Sequence, residues 1–332
     1  MKLLLSLLLI AASGILSAQT PQYKVVKTFP VSGDGFWDYI AVHNGKIYVS
    51  HSTQVNILNE ENGDSLGVIP NTTGVHGIAF DERLQKGFTS NGRLNTVTVF
   101  NLKSDKVTGQ VATGEDPDAI FFEPFTKKIV TCNGRSDDLS VIDPATGKVV
   151  ETIKVGGKPE TAVSDGKGKL FVNIEDKNEI EAVDLKSYKV TDHWSLNGGE
   201  DPTGLVIDKS TNRLFAGCQG TLVVMNAENG KVVDKLPIGQ GCDGVAFNPK
   251  DKMVFSSNGR SATITAIKEK DANVFSVVGN YPTQPGARTI AIDEDNGALF
   301  LPTASFEKNN GIGGRPKMIP GTFRVLVVKK VD

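Results

Sequence analysis

The feature that most constrains the fold of this chain is a short apolar triplet that recurs at intervals of roughly 40 residues, the spacing of propeller blades. Complete copies are Ile40 to Val42, Ile78 to Phe80, Ile120 to Phe122, Leu205 to Ile207, Val245 to Phe247 and Ile290 to Ile292. Ala162 and Val163 fill the gap in this series. Seven units of this kind predict an all-β fold, a seven-bladed propeller.

Each unit continues with further apolar strands after its triplet. In the third unit these strands are Ile129 to Thr131, Leu139 to Ile142 and Lys148 to Ile153, and an Asp-Pro-Ala-Thr-Gly turn precedes the last. Such turns tolerate tight and left-handed geometry. No helical apolar period persists beyond the N-terminal segment, so few helices are expected. Four short strands cannot bury both faces alone, and we expect the sheets to stack radially.

Closure of the ring follows from two unmatched strands. The seventh unit ends at its third strand, whereas an orphan strand from Tyr23 to Phe29 precedes the first unit. Pairing this orphan with the strand from Phe323 to Val331 would complete the seventh blade. It would also remove two exposed sheet edges at once.

One stretch of the chain carries a family resemblance. The run from Asp143 to Gly156, followed by Pro159, resembles the repeat of the YVTN or YncE-like propeller proteins. Leu301 to Thr303 and Pro320 to Phe323 are similar to the ending of that family. The resemblance implies a seven-bladed and usually exported propeller, without implying one reaction.

The N-terminal segment has the pattern of a secretory signal. Met1 and Lys2 precede an apolar run from Leu3 to Ile10, and Ser17 and Ala18 supply a small-residue cleavage site. The alternative, a membrane anchor, needs about 20 apolar residues, and this stretch is shorter and interrupted by serines. We therefore predict a signal peptide over residues 1–18 and one propeller domain over residues 19–332. The mature protein is expected as a periplasmic or secreted monomer without membrane insertion.

The net charge limits the classes of partner that this chain is expected to bind, and the cysteine count limits the number of disulfides. Without Lys2 the chain has 35 Lys and Arg against 38 Asp and Glu, a net charge of −3. No basic stripe is visible, so nucleic acid is not an expected partner. Three cysteines allow at most one disulfide. Cys218 and Cys242 are the predicted pair because they fall in adjoining loops, which leaves Cys132 alone.

One end of the propeller collects the residues that the repeat leaves free to vary. The loops that lead into the first strands share this end, the candidate face, with the loops that join second and third strands. Two positions before the triplets stand Asp38, His76, Asp118, Glu160, Thr203, Asp243 and Arg288. The second set of loops contains His51 and three Asn-Gly-Arg tripeptides, which end at Arg93, Arg135 and Arg260.

Two interpretations of these residues stay open. A rim of arginines suits bidentate capture of a carboxylate or phosphate. Alternatively, Asn-Gly-Arg is a recurrent turn with a solvated arginine, and the acids only cap loops. His51 and His76 with Asp38 or Asp118 offer metal-ligand chemistry, but lone histidine pairs are more often plain polar residues, so neither a metal nor a cofactor is predicted. Trp37 is assigned to the core rather than to a stacking platform.

The longest segment without a strand pattern runs from Thr303 to Thr322. It contains Arg315, Lys317 and several glycines. A loop this long is usually functional or disordered. We interpret it as a lid over the candidate face whose cations close on an anionic ligand.

The leading functional prediction is an exported, non-enzymatic propeller that binds a small anionic ligand or a partner protein at one channel face. The chain has no nucleophile elbow, phosphate-binding loop or dinucleotide fingerprint. One alternative is an enzyme, because similarity to propeller lactonases and lyases implies metal-binding carboxylates or a catalytic histidine on this face, here Glu160, Asp118, Asp243 and His76. A second alternative is a structural cell-surface repeat module.

Overall fold

Seven antiparallel sheets of four strands form the ring that the repeat predicts, in a computed structural model that describes residues 22–33, 35–307 and 317–331. The all-β, seven-bladed prediction is confirmed. First strands of successive blades contact one another around the ring, so they line the channel. Within the described residues the helical elements are two short 3-10 turns, Gly92–Leu94 and Glu175–Lys177.

The strands are numbered in chain order, and β1 (Gln22–Pro30) precedes the first blade. Blade 1 consists of β2 (Ile40–His43), β3 (Lys46–His51), β4 (Gln54–Asn59) and β5 (Ser65–Ile69). Blade 2 consists of β6 (Val75–Asp81), β7 (Lys86–Asn91), β8 (Thr96–Asn101) and β9 (Val107–Ala112). Blade 3 consists of β10 (Pro117–Glu123), β11 (Lys128–Asn133), β12 (Asp138–Asp143) and β13 (Lys148–Lys154).

Blades 4 to 7 continue the same order. Blade 4 consists of β14 (Pro159–Ser164), β15 (Lys169–Ile174), β16 (Glu179–Asp184) and β17 (Lys189–Ser195), and blade 5 of β18 (Leu205–Asp208), β19 (Arg213–Gly217), β20 (Thr221–Asn226) and β21 (Val232–Pro237). Blade 6 consists of β22 (Cys242–Asn248), β23 (Met253–Asn258), β24 (Thr263–Asp271) and β25 (Val274–Pro282). Blade 7 consists of β26 (Ala291–Ile292), β27 (Leu299–Thr303) and β28 (Arg324–Val331), which β1 joins.

The ring closes as predicted, because β1 pairs with β28 in antiparallel register. Gln22 lies opposite Val331 and Pro30 opposite Arg324, with one bulge between Val25 and Lys27. Tyr23 then points into the core of blades 6 and 7, where its ring meets Phe255 edge-on at 5.1 Å. The N-terminal strand therefore closes the ring in two ways, through its backbone pairing with β28 and through the buried ring of Tyr23.

The core consists of apolar layers between neighbouring blades. An aromatic residue recurs in the middle of the second strand, at most 1% exposed in each case, and its copies are Tyr48, Phe88, Phe171, Phe215, Phe255 and Phe300. Burying such a side chain contributes on the order of 1.5–3 kcal/mol. The layers thus fix the angle between blades and, with it, the position of every loop at the channel ends.

The three cysteines are free, buried thiols, so the predicted disulfide between Cys218 and Cys242 is wrong. Each thiol donates a weak hydrogen bond within its own strand region, Cys218 to the carbonyl of Ala216 at 3.7 Å and Cys242 to that of Gly244 at 3.6 Å. They also pack into different apolar layers. Burial raises the pKa of Cys218 to about 12 and raises that of Cys242 as well, which keeps both protonated.

Some sequence predictions fall on residues that the structure does not describe. The signal peptide over residues 1–18 and Arg315 both lie outside the described ranges. In the part of the chain that is described, no helix has the length and apolar character needed to cross a bilayer.

Candidate functional site

The loops that lead into first strands and the turns that follow second strands lie at the same end of the channel. The amide of Gly92 donates to the carbonyl of Gly74 at 2.8 Å, and the amide of Gly259 donates to Gly241 at 2.8 Å. The amide of Gly134 likewise donates to Asp116 at 2.9 Å. We call the residues two positions before the first-strand triplets at this end the mouth ring: Asp38, His76, Asp118, Glu160, Thr203, Asp243 and Arg288.

Three members of the mouth ring from consecutive blades meet around one imidazole. His76 Nδ1 lies 2.6 Å from Asp38 Oδ2 and 3.5 Å from Asp118 Oδ1. On the other side of the ring, His76 Nε2 lies 4.0 Å from Asp116 Oδ1. Asp118 Oδ1 is buried and accepts no hydrogen bond from the described residues. These groups form a compact cluster of oxygen and nitrogen atoms that opens toward the channel mouth.

The cluster changes how its members titrate. Burial alone would lower the pKa of His76, but the hydrogen bond to Asp38 and the charges of Asp118, Asp38 and Asp116 outweigh it and raise that pKa to about 9. Burial and the charge of Asp38 raise the pKa of Asp118 to about 7, against the opposing charges of His76 and Lys158. The surrounding acids therefore favour the charged form of His76, whereas burial and Asp38 favour the neutral form of Asp118.

Arg288 occupies the other flank of Asp38. Its guanidinium is hydrogen-bonded to Asp243, lies 3.4 Å from Asp38 Oδ1 and donates to the carbonyl of Trp37 at 2.8 Å. Burial opposes the charge, but Asp243 and Asp38 hold the pKa of Arg288 above its usual value. Because its donors already have these acceptors, Arg288 serves to neutralise carboxylates rather than to capture an anion.

Glu160 is the most buried acid of the mouth ring, at 9% exposure. Its partner is Lys158, whose Nζ lies 3.2 Å from Glu160 Oε2 and also pairs with Glu175. Burial first, and then the charge of Asp118, hold the pKa of Glu160 well above its usual range despite the nearby Lys158. Lys158 was not among the residues predicted from the sequence, although its place two residues before a ring position was a usable signal.

The Asn-Gly-Arg tripeptides form turns with a structural role at the ends of second strands. Their glycines do not have positive φ in the structure. The asparagines are fully buried clamps: Asn133 accepts from Thr131 at 2.9 Å and donates to Ser140 at 2.9 Å, joining second and third strands. Gly92 is needed for space, because a Cβ there would come within 2.7 Å of His76 Nε2.

The arginines of these turns sit outside the ring of acids. Arg93, Arg135 and Arg260 are exposed, and Arg135 Nε lies 3.2 Å from Asp116 Oδ2. No ion pair is recorded for Arg93 or Arg260 among the residues that the structure describes. The sequence placed all of them with Arg288, but Arg288 alone reaches the carboxylates of the mouth ring.

His51 and Trp37 belong to the core instead of the site. His51 is 2% exposed, its Nδ1 lies 3.1 Å from Asn56 Oδ1 and its ring packs on Phe323. It takes the place that the clamp asparagine holds in other blades. Trp37 stacks on Phe323 at 5.1 Å, which agrees with its assignment as a core residue.

The long loop of the seventh blade starts and ends against the same end of the channel. Phe306 pairs with Met318 across a β-bridge and packs near Trp37. Lys317 is exposed and its Nζ lies 3.2 Å from Glu307 Oε1. Residues 308–316, which include Arg315, lie outside the described ranges, so the lid stays a prediction.

A small cavity lies immediately inside the mouth ring. It measures about 190 Å³, and its lining includes Tyr39, Gly77, Ala119 and Thr161, each one residue beyond a ring member. Larger cavities exist elsewhere, such as one of about 700 Å³ between blades 1 and 7, but they lack the ring residues. The cavity is small beside the ~300–1,000 Å³ of sites for drug-sized ligands.

The structure identifies the residues of the mouth ring that are able to hold a cation. Asp38, His76 and Asp118 each offer one ligand atom, and these atoms lie within 4.8 Å of one another. Carboxylate and imidazole ligands suit zinc and similar divalent ions. From the sequence, His51 and His76 with Asp38 or Asp118 offered metal-ligand chemistry, and no metal was predicted. The structure brings His76, Asp38 and Asp118 together and leaves His51 in the core.

Comparisons with known proteins support the fold alone. No protein-family model matches the chain, and no curated protein matches it. Among solved structures, the chain is similar to hydrazine synthase of Kuenenia stuttgartiensis, with a TM-score of 0.71 at 13% sequence identity. The alignment covers 79% of this chain and 91% of that one. The TM-score establishes a shared propeller architecture. Because the sequence identity is so low, the function has to be argued from the site.

Proposed function

We propose that this protein is an exported propeller that binds a divalent metal ion at its channel mouth through Asp38, His76 and Asp118, and a small ligand through that metal. The observation that carries the proposal is the 4.8 Å grouping of one imidazole and two carboxylates from three consecutive blades. His76 and Asp118 lie at the start of first strands, and Asp38 lies just before one, so the stacked sheets hold all three. Rigid placement of this kind is what a metal site requires.

The charge balance of the mouth supports a cation over a bare anion. Asp38, Asp118, Glu160 and Asp243 supply four carboxyl groups, and Asp116 and Glu175 flank them. The permanent cations within this group, Arg288 and Lys158, are already paired. Inside the mouth ring a free anion would therefore meet carboxylates and two cations that are already paired, whereas a metal ion would add the positive charge that an anionic oxygen needs.

The size of the inner cavity supports a small occupant. A volume of about 190 Å³ suits a metal ion with water or one small group of a ligand. With three protein ligands, positions on the metal stay open for water or a ligand oxygen. The predicted lactonase-like or lyase-like alternative would use the same metal, as a Lewis acid that activates water or a carbonyl.

Titration of the full chain with Zn²⁺, followed by calorimetry and elemental analysis, tests the proposal. We expect His76→Ala and Asp118→Asn each to weaken binding at this site by at least about 100-fold, since each removes a metal ligand. His43→Ala is the matched control, because His43 pairs with Glu82 outside the mouth. Equal zinc binding by wild type and His76→Ala would rule the site out.

A second candidate is the predicted direct capture of an anionic ligand or an acidic partner protein by the rim. Arg93 and Arg260 favour it, because they are exposed and have no ion pair with any residue that the structure describes. In that case Arg93→Ala and Arg260→Ala would weaken binding of an anionic ligand in metal-free protein. If chelation instead abolished that binding, the metal-dependent function would be supported. A propeller that binds neither metal nor anion would fit the structural-module alternative.

Two parts of the proposal, export and resemblance to the YVTN-like propellers, rest on sequence patterns. The N-terminal pattern of charge, apolar run and small residues supports secretion, and N-terminal sequencing of protein from its own compartment would test cleavage after Ala18. The YVTN-like repeat resemblance agrees with an exported propeller.

A further inference from the structure

A second group of metal-ligand side chains lies on the outer strands of blade 4, away from the channel. Glu179 and Glu181 occupy β16, and His193 occupies the neighbouring β17. Glu181 and His193 are direct partners in the antiparallel register. Because alternate residues share a face of a strand, both glutamates project on the side of the sheet that carries the imidazole.

The three side chains converge on one point. His193 Nδ1 lies 3.2 Å from Glu179 Oε1 and 3.1 Å from Glu181 Oε1. One ligand atom from each residue lies within 4.8 Å of the other two. His193 and Glu179 reach the surface, with side-chain exposures of 56% and 22%, so an ion has access from solvent.

Glu181 supplies an independent indication of a missing partner. Its side chain is 0% exposed, and its Oε2 atom has no hydrogen-bond partner within the described residues. Its Oε1 accepts the amide of Gly156 at 2.7 Å. No lysine or arginine pairs with either glutamate in the described ranges. A buried carboxylate normally requires a cation or full hydrogen bonding, and within the described ranges His193 is the basic side chain that lies beside it.

Gly156, which lies next to this group, leaves room for it because glycine has no side chain. Gly156 does not have positive φ, but a Cβ at this position would collide with Glu181 Oε1 and lie 3.5 Å from His193 Cε1. The loop between blades 3 and 4 therefore approaches the carboxylate closely enough to donate its amide. A bound ion would join this loop to the outer edge of blade 4.

We propose that Glu179, Glu181 and His193 form a peripheral site for a divalent transition-metal ion such as Zn²⁺. Two carboxylates and one imidazole match the ligand preference of this class of ion, and the exposed side leaves a position for water. The ion would compensate the buried carboxylate of Glu181. This site is independent of the metal proposed at the channel mouth.

The test uses His76→Ala protein, in which the mouth site is disabled, with Zn²⁺ as the probe. We expect this protein to keep one zinc equivalent by calorimetry and to melt at a higher temperature when zinc is added. Adding His193→Ala, or separately Glu179→Gln, should weaken the remaining binding by at least about tenfold and remove the thermal response. Asp192→Asn, an exposed acid on the same strand, is the matched control and should change neither.

The outcomes separate the two metal proposals. Wild type and His76→Ala are compared for the mouth site, whereas His76→Ala with and without His193→Ala is compared for the peripheral site. If His76→Ala protein binds no zinc, or if His193→Ala leaves its zinc affinity unchanged, the peripheral site is refuted. A merely structural His193 would lower the melting temperature equally with and without zinc.

Discussion

His76 Nδ1 lies 2.6 Å from Asp38 Oδ2, and this contact joins the segment before the first strand of blade 1 to the first strand of blade 2 at the channel mouth. The other oxygen of Asp38 lies 3.4 Å from Arg288 Nη2 of blade 7. One carboxylate thus connects three blades next to the seam where the ring closes. Its role is to hold two cations close to the remaining acids.

Asp38→Asn should destabilise the metal-free protein, because it leaves His76 and Arg288 with a neutral partner in a half-buried site. We expect a loss of about 1–3 kcal/mol in the free energy of unfolding, measured by urea denaturation. Asp192→Asn, which removes an exposed carboxylate, serves as control and should be near neutral. Equal stabilities of the two variants would show that the Asp38 contacts contribute little.

Gly92→Ala should disturb the mouth although it replaces no charged residue. The added Cβ would come within 2.7 Å of His76 Nε2 and would also meet Asp116. Overpacking of this kind costs roughly 1–3 kcal/mol, and we expect weaker zinc binding as the imidazole moves. Gly109→Ala is the control, since nothing lies within 4 Å of its Cβ. Unchanged zinc affinity in Gly92→Ala would argue against His76 as a ligand.

Tyr23→Ala tests the ring closure without deleting the strand. Tyr23 is 4% exposed and its ring contacts Phe255 and Tyr281. Loss of a buried aromatic side chain costs about 3–5 kcal/mol, so we expect a marked drop in the denaturation midpoint. Val25→Ala, on the same strand but 37% exposed, should cost far less. Similar midpoints for both variants would contradict an anchoring role for Tyr23.

Glu269→Gln should alter the pH dependence of stability. Burial raises the pKa of Glu269 to about 7, with Asp208 adding to the shift and the hydroxyl of Thr211 opposing it. The folded protein therefore holds this proton more tightly than the unfolded chain, and stability falls as pH rises from about 4.5 to 7. We expect wild type to lose up to about 3 kcal/mol from this group, and Glu269→Gln to lose less over that window.

Denaturation curves at pH 5 and pH 8 check this sign. Glu151→Gln, an exposed glutamate, should keep the wild-type pH profile. If Glu269→Gln shows the same loss of stability as wild type between these pH values, Glu269 is already ionised in the folded protein at pH 5.

Reducing agents should leave the melting temperature unchanged, because Cys132, Cys218 and Cys242 are separate buried thiols. Peptide mapping after alkylation under denaturing conditions should find all three cysteines alkylated. Alkylation of the native protein should be slow, since burial raises the pKa of each thiol. A melting temperature that falls with reductant would restore the Cys218–Cys242 disulfide.

The sequence by itself determined the ring, its closure and the phase of the candidate site. The recurring triplets set the strand positions, and a period of two within each strand sends alternate residues into the layers between blades. The same repeat phase places Asp38, His76, Asp118, Glu160, Asp243 and Arg288 two positions before the apolar triplets, so they reach one end whatever the blade. These outcomes depend on local pattern and repetition, which a single chain displays directly.

The tertiary structure alone decided which of these residues meet and which do not. Arg288 turns inward because Asp243 and Asp38 of neighbouring blades offer acceptors, whereas the Arg93 and Arg260 turns present their arginines to solvent. Cys218 and Cys242 point into different apolar layers. Such choices depend on contacts between blades that are distant in sequence, and the repeat pattern contains no information on the partner across each interface.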